Sequence, residues 1–288
     1  MNKLPQILYV MGTGRSGTTI MDILLSDNPR FLGAGEITHV FQDGIIDQKL
    51  CSCGQTMADC MVWGRVFTEM GTETPADMVK LMRSMEAHIT FPLVALRLLK
   101  RKKQQLYASI NRRLFCRLAD SDFDVVIDSS KYAGRGLLLA RFFPQNVRVI
   151  CVTRSPAGLI NSFQKQDTEQ PPKSLIATFA YYLYALACFS YCRLFLGKNF
   201  IPVKYEDMVS DPIGVLERIE NRSGLDCSRS KDCLRNDDDL QVGHIITGNR
   251  IRKQGKVKFQ KGGSVPVLAG PARLVAGVMN IYGRILRF

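Results

Sequence analysis

Two rhythms of apolar and polar positions alternate along the chain. QILYVMG (6–12) is an apolar, β-rich run that ends in glycine, and GTTIMDILLSD (17–27) follows with apolar residues at helical spacing. The pattern predicts a strand, a loop and a helix in that order. NPRFLGAGE (28–36) then reads as a turn and a short extended stretch. Helical spacing dominates from Met61 to Leu118, including the basic LRLLKRKKQQLYASINRRLFCRL. The strand rhythm returns in FDVVIDSSK, whose apolar run ends at Asp128, and YAGRGLLLARFFP follows as a helix closed by Pro144. VRVICVTRS is the next strand, and PAGLINSFQK the next helix, with Pro156 in its first turn. FIPVKYEDM reads as a short strand, and DPIGVLERIEN as a helix capped by Asp211.

Strands alternating with helices predict an α/β fold, a parallel sheet flanked by helices on both faces. The expected organisation is one domain over 1–288, with a helical insertion at about 61–118 and a C-terminal basic loop and helix at about 242–288. Ligands of such sheets sit beyond the carboxyl ends of the strands, which directs attention to the residues just after each strand.

Composition changes this picture little. A chain of 288 residues with 46% hydrophobic and 23% charged residues can bury a sizeable core. Charge adds more, because a net +13 favours anionic ligands or surfaces, and basic residues gather in 97–117 and 249–261. The helical spacing of 97–117 is also that of a helix with a solvated basic face. SLIATFAYYLYALACFSYCRLFL (174–196) is long and almost uncharged. Its tyrosines, its small polar residues and its place between α/β segments favour a buried helix over a membrane span. The basic amphipathic PARLVAGVMNIYGRILRF leaves peripheral membrane contact open. The first strand leaves no room for a signal peptide, and nine cysteines are then expected as reduced thiols in a cytoplasmic setting, with membrane association open.

Cys51, Cys53 and Cys60 cluster in CSCGQTMADCMVW. Three close thiols suit zinc, but a fourth ligand and a C-x-x-C spacing are missing, and His39 and Cys116 have no positional support. Buried thiols or a compact loop are the expectation, with no metal at the site.

The strongest candidate chemistry lies at the strand ends. YVMGTGRSGTT (9–19) fits the glycines of G-x-x-x-x-G-K-[ST] at Gly12 and Gly17, with Thr19 in the hydroxyl place. The lysine position holds Thr18, and the positive charge comes three residues earlier, from Arg15. Gly14, Ser16 and Gly17 let backbone N–H groups approach an anion, the helix N-terminus favours it, and Arg15, Thr18 and Thr19 add donors. Ser129, Ser130 and Lys131 follow a second strand and Arg154 a third. A triphosphatase would need the missing lysine and a metal-binding acid, for which Asp128 is the candidate.

The loop GTGRSGTTIMDILLSDNP, followed by GAGEITHVF, resembles the sulfotransferases that use 3′-phosphoadenosine-5′-phosphosulfate. VICVTRSPAGLINSF resembles their second signature, and the likeness extends through VKYEDMVSDPIGVLERI and GNRIRKQGKVKF. The arginine form of the loop is closest to the tyrosyl-protein and bacterial carbohydrate branches. What the resemblance implies is a loop that holds the 5′-phosphosulfate, with Arg154 and Ser162 on the 3′-phosphate. It also implies Glu36 as general base, and Arg15 and Lys131 as stabilisers of charge on the sulfuryl group and leaving oxygen. Arg250 and Arg252 are candidates for the 3′-phosphate or a lid, and Tyr205 for packing near the adenosine. His39 is the second candidate base, and the scheme requires no metal.

The expected function is therefore sulfuryl transfer to an acceptor hydroxyl of a carbohydrate, lipid, small molecule or peptide tyrosine. An atypical Mg²⁺-dependent phosphate-loop kinase and a basic membrane- or nucleic-acid-binding module are the alternatives. The module leaves the strand-end residues unexplained, and no nucleic-acid motif or interleaved aromatic platform is present. The sequence pattern fixes neither the acceptor nor the oligomeric state.

Overall fold

The computed structural model describes residues 3–67, 74–120, 122–165, 172–248, 250–262 and 265–288. Residues 68–73 of the helical stretch, Asn249 of the basic segment and the side chain of Arg250 fall outside the described part.

In chain order the first half holds β1 (Gln6–Gly12), α1 (Thr18–Ser26), β2 (Phe31–Gly33), α2 (Trp63–Phe67), α3 (Pro75–Glu86), α4 (Phe91–Ala95) and α5 (Arg101–Ala119). Next come β3 (Val125–Lys131), α6 (Ala133–Phe142), β4 (Val147–Thr153), α7 (Pro156–Gln164), α8 (Leu175–Leu196), β5 (Phe200–Lys204) and α9 (Tyr205–Ser210). The chain closes with α10 (Pro212–Ser223), α11 (Ser228–Asn236), β6 (Asp239–Gln241), β7 (Lys256–Lys258) and α12 (Gly270–Ile285).

Among the described residues, five strands pair in the order β2-β3-β1-β4-β5, all parallel. Both faces of this sheet are buried. Ile7, Tyr9 and Met11 of β1 join the core on one side with α6 and α8, while Leu8 and Val10 join the core on the other with α1 and α10. That double burial is why the strands read as continuous apolar runs. Helix starts follow local chemistry: Ser155, Ser174 and Asp211 each accept a backbone N–H three residues on, at the openings of α7, α8 and α10.

β1 is central, with β3 on one side and β4 on the other. The crossovers on either side of β1 therefore diverge at its carboxyl end, which opens a crevice there. Two features lie outside the sequence pattern. Val40–Ile46 forms a π-helical turn, and β6 and β7 pair antiparallel as a small separate ribbon.

α8 is long and apolar enough to span a membrane by length and composition. It buries one face, through Thr178, Tyr182, Ala185, Leu186, Phe189 and Cys192, while Ile176 and Leu194 are exposed. α12 packs on α7 and α8. It buries Ala276, Met279 and Gly283 and leaves Leu274, Val278, Ile281 and Ile285 in solvent.

Candidate active site

A cleft of about 1060 Å³ opens beyond the carboxyl ends of β1, β3 and β4. Its floor is the turn between β1 and α1. Gly17 has φ 90, and a Cβ there would stand 2.5 Å from the Tyr205 ring, so both backbone freedom and space demand glycine. At Gly12 a side chain would meet the Val152 carbonyl at 2.7 Å. The N-terminus of α1 at Thr18 opens directly onto the cleft and contributes its positive dipole end.

Arg154, the residue after β4, crosses to this loop. Its Nη1 donates to the Arg15 carbonyl at 2.9 Å, and its guanidinium lies 4.2 Å over the Tyr205 ring. Its Nε is buried with no hydrogen-bond partner among the described residues. A buried cationic N–H without an acceptor is costly, and an anion in the cleft would satisfy it. Ser162 reaches the same cleft from α7.

The opposite wall carries Glu36, paired with the Lys131 ammonium at the end of β3. Three elements fix the backbone at Glu36. Its N–H donates to the Thr247 carbonyl at 3.2 Å, and the Gly35 carbonyl accepts from Ser129 N–H at 2.8 Å. Asp22 of α1 accepts from Gly35 N–H at 3.1 Å and from the Ser129 hydroxyl at 2.6 Å. Burial raises the Asp22 pKa to about 7, with those two hydrogen bonds pulling the other way. Arg15 and Lys131 both have left-handed backbone, φ 68 and φ 74. Non-glycine residues hold that conformation only where the surroundings enforce it, and such positions cluster at functional sites.

Of the residues singled out from sequence, the cleft brings together Arg15, Gly17, Thr18, Thr19, Glu36, Lys131, Arg154, Ser162, Tyr205 and Arg252. Gly14 and Ser16 are absent from its lining. The Gly14 N–H donates to the Tyr181 hydroxyl at 2.9 Å, and the buried Ser16 hydroxyl donates to the Thr13 carbonyl at 2.7 Å. Both brace the loop. Tyr205 packs under the loop between Gly17 and Arg154. Arg252 is buried and donates to the Leu50 carbonyl at 3.2 Å, which ties the basic segment to the cleft wall. His39 also lines the cleft.

Asp128 does not face the cleft. Its carboxylate is fully buried and receives Arg135 Nε at 2.7 Å, which removes the acid that a metal-dependent kinase would have used. Residues missed by sequence reasoning include Lys49, Asp43, Ser52 and Thr247. Asp43 pairs with Lys49 at 3.0 Å and accepts from the Thr247 hydroxyl at 2.5 Å. Asp43, Lys49 and Ser52 lie within ten residues of one another and Thr247 almost two hundred residues further on, none of them in a strand or an α-helix, so no periodic signal marks them. One expectation is corrected: the three clustered thiols do have a fourth partner, His244, rather than His39 or Cys116.

A sequence model described as "Sulfotransferase family" matches residues 6–229. Among solved structures, the fold is similar to the "Sulfotransferase Domain from the Curacin Biosynthetic Pathway", with TM-score 0.53 and 15% identity over 99% of both chains. It is also similar to sulfotransferase STF1 from Mycobacterium tuberculosis H37Rv, with TM-score 0.50 and 15% identity over 81% of this chain and 71% of that one. No curated protein matches significantly.

Proposed function

The chain belongs to the sulfotransferase family, and on that premise we propose that it moves a sulfuryl group from 3′-phosphoadenosine-5′-phosphosulfate to an acceptor hydroxyl, with Glu36 as general base. The observation that carries this reading is the convergence of the Gly12–Thr19 turn, Arg154 and Ser162 on one cleft whose far wall holds Glu36 and Lys131. Arg15 in the turn and Arg154 after β4 bring two cationic side chains to the cleft, which suits a ligand with more than one anionic group. The buried, unsatisfied Arg154 Nε fits an anionic end.

When bound, the donor supplies the sulfuryl group and leaves as adenosine 3′,5′-bisphosphate. The chain's own residues then divide the remaining work. Arg15 and the N-terminus of α1 stabilise negative charge that grows on the bridging oxygen. Arg154 and Ser162 hold the far phosphate and set the register of the donor. Glu36 takes the proton from the acceptor hydroxyl as that oxygen bonds to sulfur. Lys131 orients the Glu36 carboxylate through their ion pair and brings a second positive charge to the sulfuryl oxygens. The acceptor is a carbohydrate, lipid, small molecule or peptide tyrosine, facing the part of the cleft lined by 49–52, Gly54, 247–248 and 251–253.

Calorimetry with adenosine 3′,5′-bisphosphate tests the donor assignment. Wild type should bind, and Arg154→Ala should bind at least about tenfold more weakly, a loss of roughly 1.4 kcal/mol. A wild type that ignores the bisphosphate would sink the assignment.

A further inference from the structure

Cys51, Cys53 and Cys60 lie in the loop that precedes α2, and His244 follows β6 almost two hundred residues later. Their side chains meet. Cys60 Sγ stands 3.8 Å from Cys51 Sγ and 3.8 Å from Cys53 Sγ. His244 Nδ1 stands 3.2 Å from Cys60 Sγ and 3.8 Å from Cys51 Sγ. All four atoms fall within 4.8 Å of one another. Ligands at the corners of a tetrahedron, about 2.3 Å from a central zinc, are separated by about 3.8 Å. The sulfurs are too far apart for a disulfide, whose S–S bond is about 2.05 Å, and all three cysteines are free.

We propose that Cys51, Cys53, Cys60 and His244 form a structural zinc site of the Cys₃His type. Three thiols and one imidazole with donor atoms spaced close to the edges of a zinc tetrahedron match the softness and size that zinc prefers, and four protein ligands close its coordination shell. The thiols bind as thiolates and release their protons to solvent. Surrounding groups are those such a site requires. The backbone N–H groups of Val62 and Trp63 face the Cys60 sulfur, and that of Cys53 faces the Cys51 sulfur, an outer shell that holds thiolate ligands in place. A tight turn carries the first two ligands, closed by Gly54 N–H on the Cys51 carbonyl at 2.9 Å, with Gly54 at φ 83.

The metal links two walls of the cleft. Ser52 N–H donates to the Ile245 carbonyl at 2.9 Å, Ile245 N–H donates back to the Ser52 hydroxyl at 2.9 Å, and Trp63 Nε1 donates to the His244 carbonyl at 2.7 Å. Three residues beyond His244, the Thr247 carbonyl receives the Glu36 N–H. Zinc thus fixes the strap that supports Glu36, and takes no part in the chemistry itself.

Elemental analysis of untagged, full-length protein, purified without chelator, tests the site. Wild type should carry about one zinc per chain. His244→Ala and Cys60→Ser should lose most of it, whereas Cys116→Ser, which alters a thiol outside the cluster, should keep it. Should the first two variants fail to fold, wild type alone decides. A thiol-blocking mercurial should release zinc to a chromogenic chelator, and cobalt-substituted protein should show the visible absorption of a tetrahedral thiolate site. Metal-free wild type that takes up neither zinc nor cobalt overturns the proposal. So does equal zinc loss in Cys116→Ser, or a disulfide among the three cysteines in freshly isolated protein.

Discussion

In the proposed mechanism Glu36 is where the chemistry of single residues is concentrated, because one carboxylate must be both accessible to an acceptor and held in a fixed direction. Its exposure to the cleft comes with the Lys131 ion pair, and its backbone is clamped by Thr247 and by the Asp22–Gly35–Ser129 hydrogen bonds. Glu36→Gln preserves shape and removes the proposed base. Turnover should fall by about 10²- to 10⁴-fold while affinity for adenosine 3′,5′-bisphosphate stays within about twofold. A Gln variant with nearly normal turnover in a sulfuryl-transfer assay would move the base to His39, the second candidate base, which also lines this cleft. The phosphate loop was readable from residue type and strand-end position, whereas Glu36 was singled out only through the family resemblance of GAGEITHVF. Its pairing with Lys131 and Thr247 was not readable, since a contact between side chain and strap depends on loops whose paths have no periodicity.

At the scale of elements, β3 and α6 carry the most consequential packing. Arg135 of α6 is fully buried and donates to Asp128 of β3 at 2.7 Å and to Glu86 of α3 at 2.5 Å. Tyr107 of α5 donates to the same Glu86 oxygen at 2.7 Å, and the Thr38 hydroxyl closes on its other oxygen. Burial alone disfavours the Arg135 charge, but Asp128 and Glu86 outweigh it and hold its pKa above the usual range. The network therefore bolts the helical insertion to the strand that ends in Ser129, Ser130 and Lys131. Arg135→Met leaves two buried carboxylates without their cation and should cost about 3–5 kcal/mol, read as a large drop in melting temperature. A loss below about 1 kcal/mol would show that the carboxylates find other partners or take up protons. The strand and helix pattern on either side was legible because both faces of the sheet are buried and each helix shows a stripe. β6, β7 and the π-helical turn were not, because the ribbon's strands are three residues each and the π-helical turn shows no apolar period of its own.

For the whole molecule, pH reports on the buried carboxylate beneath the Glu36 loop. The Asp22 pKa is raised to about 7 in the folded chain, while the unfolded value is about 3.9. Between those values the folded state holds a proton that the unfolded state has lost, so this group's stabilisation is complete below about pH 4 and disappears as pH rises toward 7. Denaturant unfolding of wild type and Asp22→Asn across pH 4 to 8 should show wild type losing roughly 1.4 kcal/mol per pH unit relative to the variant within that window. Parallel curves would place the Asp22 titration elsewhere. The sequence by itself determined the alternation that builds a parallel sheet, the glycine turn at the end of β1, and the residues set at or just beyond the carboxyl ends of β1, β3 and β4. These are local properties, fixed by side-chain period and by backbone freedom at glycine. Only the tertiary structure decided that Asp128 turns inward to Arg135, that Gly14 and Ser16 brace the loop, and that His244 completes the Cys51, Cys53 and Cys60 cluster. Each depends on segments distant in the chain meeting at one point, and that meeting is set by packing of the whole fold and leaves no trace in local spacing.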